Sequence, residues 1–308
     1  MRPALGTAAA VALCAAAAAG CGVGPGDDAG EVELTVSRDY GSEILVDEQD
    51  SISESDTVLR LLDRSADVET RYGGGFVQTI DGLSGERTDG RASDWFFYVD
   101  GIESPVGAAE YQLGDGERVW WDHHDWSSAM RVPAVVGSWP EPFAHGFLGD
   151  RYLAEVRCVR ATEACGAVSE RLEEAGAEIA IRFDESAPEA DQVRLPVLVG
   201  TWARIRNDPD ARLLASGPEQ SGVFARFSGD RRALLTLLNQ RAEVAGSLGR
   251  GGGLVAALRP GDGPPTWVVT GTDAAGVTAA AELLGDALAD RFAVATDGGG
   301  GPIGVPVP

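Results

Sequence analysis

The sequence contains no lysine, so all 25 of its basic residues are arginine, against 48 acidic residues. The formal charge of −23 argues against nucleic-acid binding and against attraction to anionic lipid surfaces, because both need clustered basic side chains. Histidine is also scarce, with three in 308 residues. A three-histidine metal centre is therefore not expected, and we predict no metal site and no catalytic residue.

Aromatic residues make up only 7 % of the chain, yet seven of them stand in two short stretches. DWFFYVDGIE (residues 94–103) places four aromatic side chains in a row, and VWWDHHDW (residues 119–126) adds three tryptophans. Alternate side chains of a β-strand point to opposite faces, so each stretch supplies aromatic groups to both faces of a sheet. Such groups either fill a small core or line a binding surface.

Beyond the N-terminus, no stretch approaches the roughly 18 apolar residues that a membrane span requires. The N-terminus has one arginine, an apolar run and small residues before Cys21, which is typical of a secretory signal. Residues 18–21 resemble the bacterial lipobox, although an ordinarily cleaved or an uncleaved signal is the alternative. We therefore predict a signal peptide over residues 1–20, lipidation of Cys21 and a flexible tether over residues 21–30. The protein is then anchored by lipid to the cell membrane, on its extracytoplasmic side.

Cysteine is rare, with four in the chain. Cys14 falls in the predicted signal peptide and Cys21 is the predicted lipidation site, which leaves Cys158 and Cys165. Export permits disulfides, whereas a metal or redox site needs a tighter pair or more ligands. We predict a disulfide between these two residues.

Residues 31–143 show the pattern of a first domain. Alternating residues predict two strands around a turn at residues 40–42, and a short helix follows with Asp56 as its N-cap. Three further strands come after the helix. Two strands, one helix and three strands is the order of an α+β, β-grasp-like domain.

The alternation also predicts which aromatic side chains share a face. Trp95 and Phe97 lie on one face of their strand, and Phe96 and Tyr98 on the other. A single helix covers one face of a sheet, so we expect the other face to be partly exposed and available to a planar ligand or to a second domain. The predicted ligand-binding residues are Tyr72, Gly73, Gly74, Gly75, Tyr98, Trp120, Trp121 and His123.

Residues 144–300 change to strands that alternate with helices, which predicts an α/β domain with a mainly parallel sheet, followed by a tail at residues 301–308. In such sheets ligands bind at the carboxyl ends of the strands, where Ser138, Thr201, Thr272 and Asp273 are expected. Helix capping is the favoured explanation of threonine and aspartate at these positions. GRGGGL, at residues 249–254, lacks the lysine of a phosphate loop and is interpreted as a turn.

Several ordered motifs of the first domain resemble an exported bacterial family, the domain of unknown function numbered 4430. They are DTVLRLL, YGGGFVQTIDGL, DWFFYVDGI, LGDGERVWWD and PAVVGSWPEPF. The family is related to the C-terminal β-domain of the vitamin B12 carriers transcobalamin and intrinsic factor. The resemblance implies a β-grasp fold and a small ligand, with a cobalamin-like molecule as one candidate.

Three functions follow from these patterns. The first is a surface lipoprotein that binds a small ligand or cofactor in support of uptake, with a membrane transporter as a candidate partner. The second is a structural protein of the cell envelope, whose aromatic groups serve a protein interface. The third is an enzyme that uses the crevice of the α/β domain.

Overall fold

The computed structural model describes residues 26–72, 75–158, 162–183, 193–229 and 232–308. The predicted signal peptide, Cys21, Gly73 and Gly74 lie outside the described residues. Strands predominate over helices and form several sheets, so the chain has a mixed α and β architecture. No helix among the described residues is both long and apolar enough to cross a membrane.

The described residues of the first half form one α-helix and nine strands: β1 (Asp28–Arg38), β2 (Glu43–Ser53), α1 (Val58–Ser65), β3 (Val68–Arg71), β4 (Phe76–Ile80), β5 (Leu83–Ser84), β6 (Glu86–Thr88), β7 (Arg91–Val99), β8 (Ile102–Glu103) and β9 (Arg118–Asp125). The larger sheet has the order β2-β1-β9-β7-β6, with β8 paired to β7. Strands β1 and β9 are parallel neighbours within it, and the other pairings are antiparallel. Strands β3, β4 and β5 form a small separate sheet.

Helix α1 begins one residue later than predicted. Its N-cap is Thr57, whose hydroxyl accepts a hydrogen bond from the backbone N–H of Arg60 at 3.3 Å. The predicted cap, Asp56, instead accepts from Ser53 and from the guanidinium of Arg64 at 2.8 Å. Both residues are good capping types, so the sequence pattern alone did not distinguish them.

The second half contains β10 (Leu153–Cys158), α2 (Glu163–Glu174), β11 (Ile179–Arg182), β12 (Arg194–Thr201), α3 (Trp202–Ile205), α4 (Pro218–Ser221), β13 (Ala225–Ser228), β14 (Leu234–Leu238), β15 (Val244–Leu248), β16 (Gly253–Leu258), β17 (Thr266–Gly271), α5 (Ala274–Ala281), β18 (Ala293–Thr296) and β19 (Ile303–Val305). Its main sheet has the order β11-β10-β12-β17-β16-β18-β19. Strands β11, β10, β12 and β17 are parallel, and β16, β18 and β19 pair antiparallel. The sheet predicted as mainly parallel is thus parallel in three of its six pairings.

Two predicted local features of this half have clear outcomes. The glycine-rich segment interpreted as a turn leads directly into β16, an inner strand whose six residues are all buried. Asp273 acts as the N-cap of α5, because its carboxylate accepts from the backbone N–H of Gly276 at 3.0 Å. The capping interpretation of Asp273 is therefore confirmed.

The predicted assignment of aromatic side chains to opposite faces of β7 is confirmed. Trp95 packs in one buried cluster with Leu61 and Leu62 of α1, and Phe97 packs against that cluster. Tyr98 belongs to a different cluster, in which it contacts residues of the second half of the chain. One face of the sheet thus covers the helix, and the opposite face meets the second half.

This second contact, which we call the junction, is centred on Phe292. The ring centroid of Phe292 lies 5.1 Å from that of Trp120 and 5.7 Å from that of Tyr98. Gly41, with φ of 77°, approaches the backbone of Asp290 so closely that an added Cβ would lie 2.1 Å from its carbonyl oxygen. A residue with a side chain would not fit there without moving the backbone.

A buried carboxylate lies at the centre of the junction. Asp122, with no exposed surface, accepts hydrogen bonds from the Ser37 hydroxyl (2.5 Å), from the backbone N–H groups of Tyr40 and Gly41 (3.1 and 2.9 Å), and lies 2.7 Å from Nδ1 of His124. The Trp120 indole donates to the Ser37 hydroxyl at 2.8 Å. The His124 ring stacks between Tyr40 and Phe96, with centroid distances of 4.4 Å to each.

The predicted disulfide is present. Cys158, at the end of β10, is bonded to Cys165 in the first turn of α2, with the two Cα atoms 6.2 Å apart. Both residues are buried. The bond links the strand to the helix that follows it.

Replacing Asp122 with asparagine should lower the free energy of unfolding by about 2–3 kcal/mol. The amide NH₂ group of asparagine cannot accept the hydrogen bonds that one carboxylate oxygen accepts, so buried donors would lose their acceptor. The matched control is Asp47→Asn, the same change at an exposed position, which should alter stability by less than about 0.5 kcal/mol. Chemical denaturation of the purified variants measures both. Equal stabilities for the two variants would contradict a structural role for the network.

Replacing both Cys158 and Cys165 with serine should lower the free energy of unfolding by about 2–3 kcal/mol, because a short closed loop no longer restricts the unfolded chain. Denaturant titration measures this loss. Mass spectrometry of the unreduced wild-type protein should show one disulfide, and two freely alkylated thiols at these positions would contradict the bond.

Candidate functional site

The aromatic residues predicted to bind a ligand are not on the surface. Tyr98 is 1 % exposed and Trp120 is 3 % exposed, because the second half of the chain covers their face of the sheet at the junction. The predicted partial exposure of this face is therefore wrong. Sequence alternation placed these side chains on the correct face but carried no information about what covers it.

Trp121 and His123 lie on the opposite face, towards α1. Trp121 is buried in the helix cluster. The Nε2 atom of His123 lies 3.2 Å from the carbonyl oxygen of Ser84, and burial lowers the pKa of this half-buried histidine. Tyr98 and Trp120 therefore face away from Trp121 and His123, and these four predicted residues do not converge.

Tyr72 and Gly75 remain at the surface, on either side of Gly73 and Gly74. Tyr72 is 88 % exposed and has a positive φ of 54°, which is uncommon for a residue with a ring. The carbonyl oxygen of Gly75 lies against Gly107, where an added Cβ would be only 3.5 Å away. This contact places Gly75 next to the segment that carries Val106.

Val106 also lines an open cleft of about 620 Å³ in the first half of the chain, which we call the carboxyl cleft. Its walls come from the β8–β9 connection and from residues 145–149. Val106 and Leu148 lie at its edge, with 38 % and 52 % of their surfaces exposed. The volume falls within the range of small-molecule sites, and apolar edges are typical of them.

Buried polar groups form the floor of the carboxyl cleft. The carboxylate of Glu117 accepts hydrogen bonds from the Tyr111 hydroxyl at 2.8 Å and from the backbone N–H of Gly114 at 2.9 Å. Burial raises the pKa of Glu117, and the nearby Glu141 adds to the effect, although the two hydrogen bonds oppose it. Burial, together with the charge of Glu117, also raises the pKa of the Tyr111 hydroxyl.

A half-exposed histidine also lines the cleft and is held by a buried carboxylate behind it. Nδ1 of His145 lies 2.7 Å from Glu141, which also accepts from the His145 backbone N–H at 2.9 Å. Gly116, with φ of 80°, lies against the imidazole, because an added Cβ would be 3.1 Å from the ring. Burial raises the pKa of Asp100, which accepts from the backbone N–H of Arg118.

The carboxylates of Glu117 and Glu141 are held in place by donors from the protein. Both oxygens of Glu117 and both oxygens of Glu141 already accept hydrogen bonds from the protein. They therefore fix the shape of the cleft, and Tyr111 and His145 are positioned beside the space a ligand would occupy. Within the described ranges, no group of three or more histidine, cysteine, aspartate or glutamate residues is placed to hold a metal ion.

Sequence reasoning missed the residues that form this cleft. Tyr111 and Glu117 lie on either side of the turn in LGDGERV. This motif carries the family resemblance but shows no pattern of a binding site. His145 was counted only as one of three histidines. Its pairing with Glu141 at a spacing of four residues was the available signal, since that spacing brings two side chains together in a helical turn.

Comparison with known proteins concerns mainly this half of the chain. Residues 55–125 match the family model described as "Domain of unknown function (DUF4430)". No curated protein matches the chain significantly.

Two solved structures show limited similarity. One is the crystal structure of haptocorrin in complex with Cbi, with 15 % identity over 32 % of this chain and a TM-score of 0.26. The chain spans only 26 % of that haptocorrin. The other is a protein described as a putative metal binding protein from Ruminococcus gnavus ATCC 29149, with 17 % identity, 31 % of this chain, 97 % of that chain and a TM-score of 0.25.

The family match encloses helix α1, the aromatic strand β7, all of β9 and the floor residues Tyr111 and Glu117. The resemblance of the sequence motifs to the DUF4430 family is thus confirmed over residues 55–125.

Proposed function

We propose that the protein is an exported, lipid-anchored binding protein for a small ligand, and that the ligand occupies the carboxyl cleft. The observation that carries this proposal is the cleft itself. It combines about 620 Å³ of open volume and an apolar edge with a buried floor of fixed hydrogen-bonding groups. This combination is the usual composition of a small-molecule site.

Some of the residues predicted to bind the ligand remain in the proposed site, and others have a supporting role. Tyr72 and Gly75 would contact the ligand from the loop beside the cleft, and Val106 and Tyr111 from within it. Tyr98 and Trp120 would support the sheet beneath without touching the ligand. The sheet with α1, in which β1 and β9 are parallel neighbours, would be the β-grasp-like unit that carries the cleft.

A cobalamin-like molecule is the ligand candidate that the family resemblance suggests, in support of uptake through a membrane transporter. We propose binding without turnover, in which the carboxylates of Glu117 and Glu141, each accepting two hydrogen bonds from the protein, serve to hold the shape of the cleft.

Cyanocobalamin should bind the purified protein, and Val106→Asp should weaken binding at least about tenfold, because a charged group at the edge must be desolvated when the ligand enters. The matched control is Val244→Asp, the same change at an exposed valine of β15, outside the cleft. Isothermal titration calorimetry measures both affinities.

The absence of heat at millimolar cyanocobalamin would reject the corrinoid candidate. Equal weakening by Val106→Asp and Val244→Asp would reject the carboxyl cleft as the site. Circular dichroism of each variant shows whether a loss of binding reflects a loss of fold.

Replacing Cys21 with serine should release the protein from the membrane, because a lipid anchor is then no longer attached. The measurement is the distribution of the protein between the membrane and soluble fractions. Cys14→Ser, the same change within the predicted signal peptide, is the control and should leave the protein with the membrane. Membrane association of the Cys21 variant equal to that of the wild type would contradict lipidation.

A further inference from the structure

A second cleft lies in the other half of the molecule, at the carboxyl ends of the parallel strands. It measures about 630 Å³, and we call it the arginine cleft. Its described lining residues are Arg157, Cys158, Arg182, Phe183, Leu198, Arg204, Ile205, Asn207, Asp208 and Pro209. They come from the ends of β10 and β11 and from the segment that follows β12.

The sheet topology favours a ligand site at this position. From β10 the chain crosses through α2 to β11 on one side, whereas from β12 it continues towards β17 on the other. The neighbouring strands β10 and β12 therefore send their connections in opposite directions. In open α/β sheets, the crevice beside such a reversal is where ligands bind.

The charge of this cleft is opposite to that of the whole protein. The chain carries a formal charge of −23, yet three guanidinium groups line this one cleft. Among its described lining residues, Asp208 is the sole acid, and one of its oxygens accepts from the backbone N–H groups of Asp210 and Ala211. The cleft is thus a local concentration of positive charge on an acidic protein.

A buried glutamate fixes two of these arginines. Glu155, on β10 and with no exposed surface, accepts from Nε of Arg157 at 2.5 Å and from Nη1 of Arg182 at 2.8 Å, and it also pairs with Arg194. Burial opposes ionisation of Glu155, but these hydrogen bonds outweigh it and lower its pKa to about 2. The arginines are therefore held in position by a charge that persists at neutral pH.

The arginines keep hydrogen-bonding capacity for a ligand. The guanidinium of Arg157 is 39 % exposed, and its bond to Glu155 uses Nε, so that bond does not engage its Nη groups. Nε of Arg182 is buried without a hydrogen-bond partner among the described residues, so this guanidinium is incompletely satisfied. Arg204 is exposed and makes no ion pair within the described part of the chain.

Arg204 also borders a smaller cleft of about 300 Å³, which includes Thr162 and Thr201. Phe183 adds an exposed aromatic ring to the wall of the arginine cleft. Guanidinium groups match carboxylate and phosphate oxygens in pairs, and an exposed ring suits an apolar portion of the same molecule. We infer that the arginine cleft binds a small organic anion, in which a phosphate or carboxylate group adjoins an apolar group.

The inference is tested on the purified protein by calorimetry with phenyl phosphate, with benzoate as the carboxylate probe and phenol as the neutral one. At least one anion should bind, phenol should not, and binding should weaken as salt is added. Preference for phenyl phosphate or for benzoate identifies the anionic group. The inference would be overturned if neither anion bound at a concentration of about 10 mM, or if phenol bound as well as the anions.

Two variants locate the site. Arg204→Gln removes an exposed guanidinium and should weaken anion binding about tenfold or more, with the fold unchanged. Arg241→Gln makes the same change at an exposed residue that lines neither cleft, and it should leave the affinity unchanged. Arg157→Gln is the second variant in the cleft, with circular dichroism as a check on its fold. Wild-type affinity in both cleft variants, or an equal loss in the control, would overturn the assignment.

This inference is independent of the function proposed for the first half. Val106→Asp should leave binding of the anions unchanged, and Arg204→Gln should leave binding of cyanocobalamin unchanged. The failure of one site is therefore distinguishable from the failure of the other.

Discussion

The burial of Asp122 is the constraint on which the association of the two halves depends. A carboxylate without exposed surface is tolerated only where donors surround it, and here the donors come from β1, from the turn after it and from His124. These bonds fix the position of the turn that carries Gly41, which lies against the backbone of Asp290 in the second half. The rings of Tyr40 and Phe96 stack on the two faces of His124 and keep water away from its contact with Asp122. The hydrogen-bond network and the apolar contacts therefore depend on each other.

The same constraint explains what the sequence could and could not predict. Alternation in DWFFYVDGIE predicted the two faces of β7 correctly, because side-chain direction in a strand is a local property. The covering of Tyr98 by Phe292 depends on residues nearly 200 positions apart, about which local patterns carry no information. Strand β16 begins inside the glycine-rich segment that was interpreted as a turn, where Gly253 is a turn-type residue that gives no sign of a strand. The disulfide was predictable because an exported protein can form disulfides, and because assigning Cys14 to the signal peptide and Cys21 to the lipid left one pair of cysteines.

The candidate sites were hidden for a related reason. In the sequence, nothing distinguishes Glu117 and Glu155 from the other acidic residues, of which there are 48 in all. Only the fold shows that Glu117 is bonded to Tyr111 in the floor of the carboxyl cleft, and that Glu155 is bonded to two arginines of the arginine cleft. Burial raises the pKa of both, but the net shifts are opposite. Burial prevails at Glu117, whose hydrogen-bond partners are neutral donors, whereas the cationic partners of Glu155 outweigh burial and lower its pKa to about 2.

The two clefts therefore differ in how their charge depends on pH. Arginine stays protonated throughout the physiological range, and Glu155 stays ionised down to about pH 2, so the charges of the arginines and of Glu155 are constant at mildly acidic pH. In the carboxyl cleft, the raised pKa values of Glu117 and Asp100 mean that these groups take up protons at higher pH than exposed carboxyls do. Acidification then removes negative charge from the carboxyl cleft and leaves the charges of the arginines and Glu155 unchanged. A chain without lysine obtains this local concentration of positive charge from guanidinium groups alone.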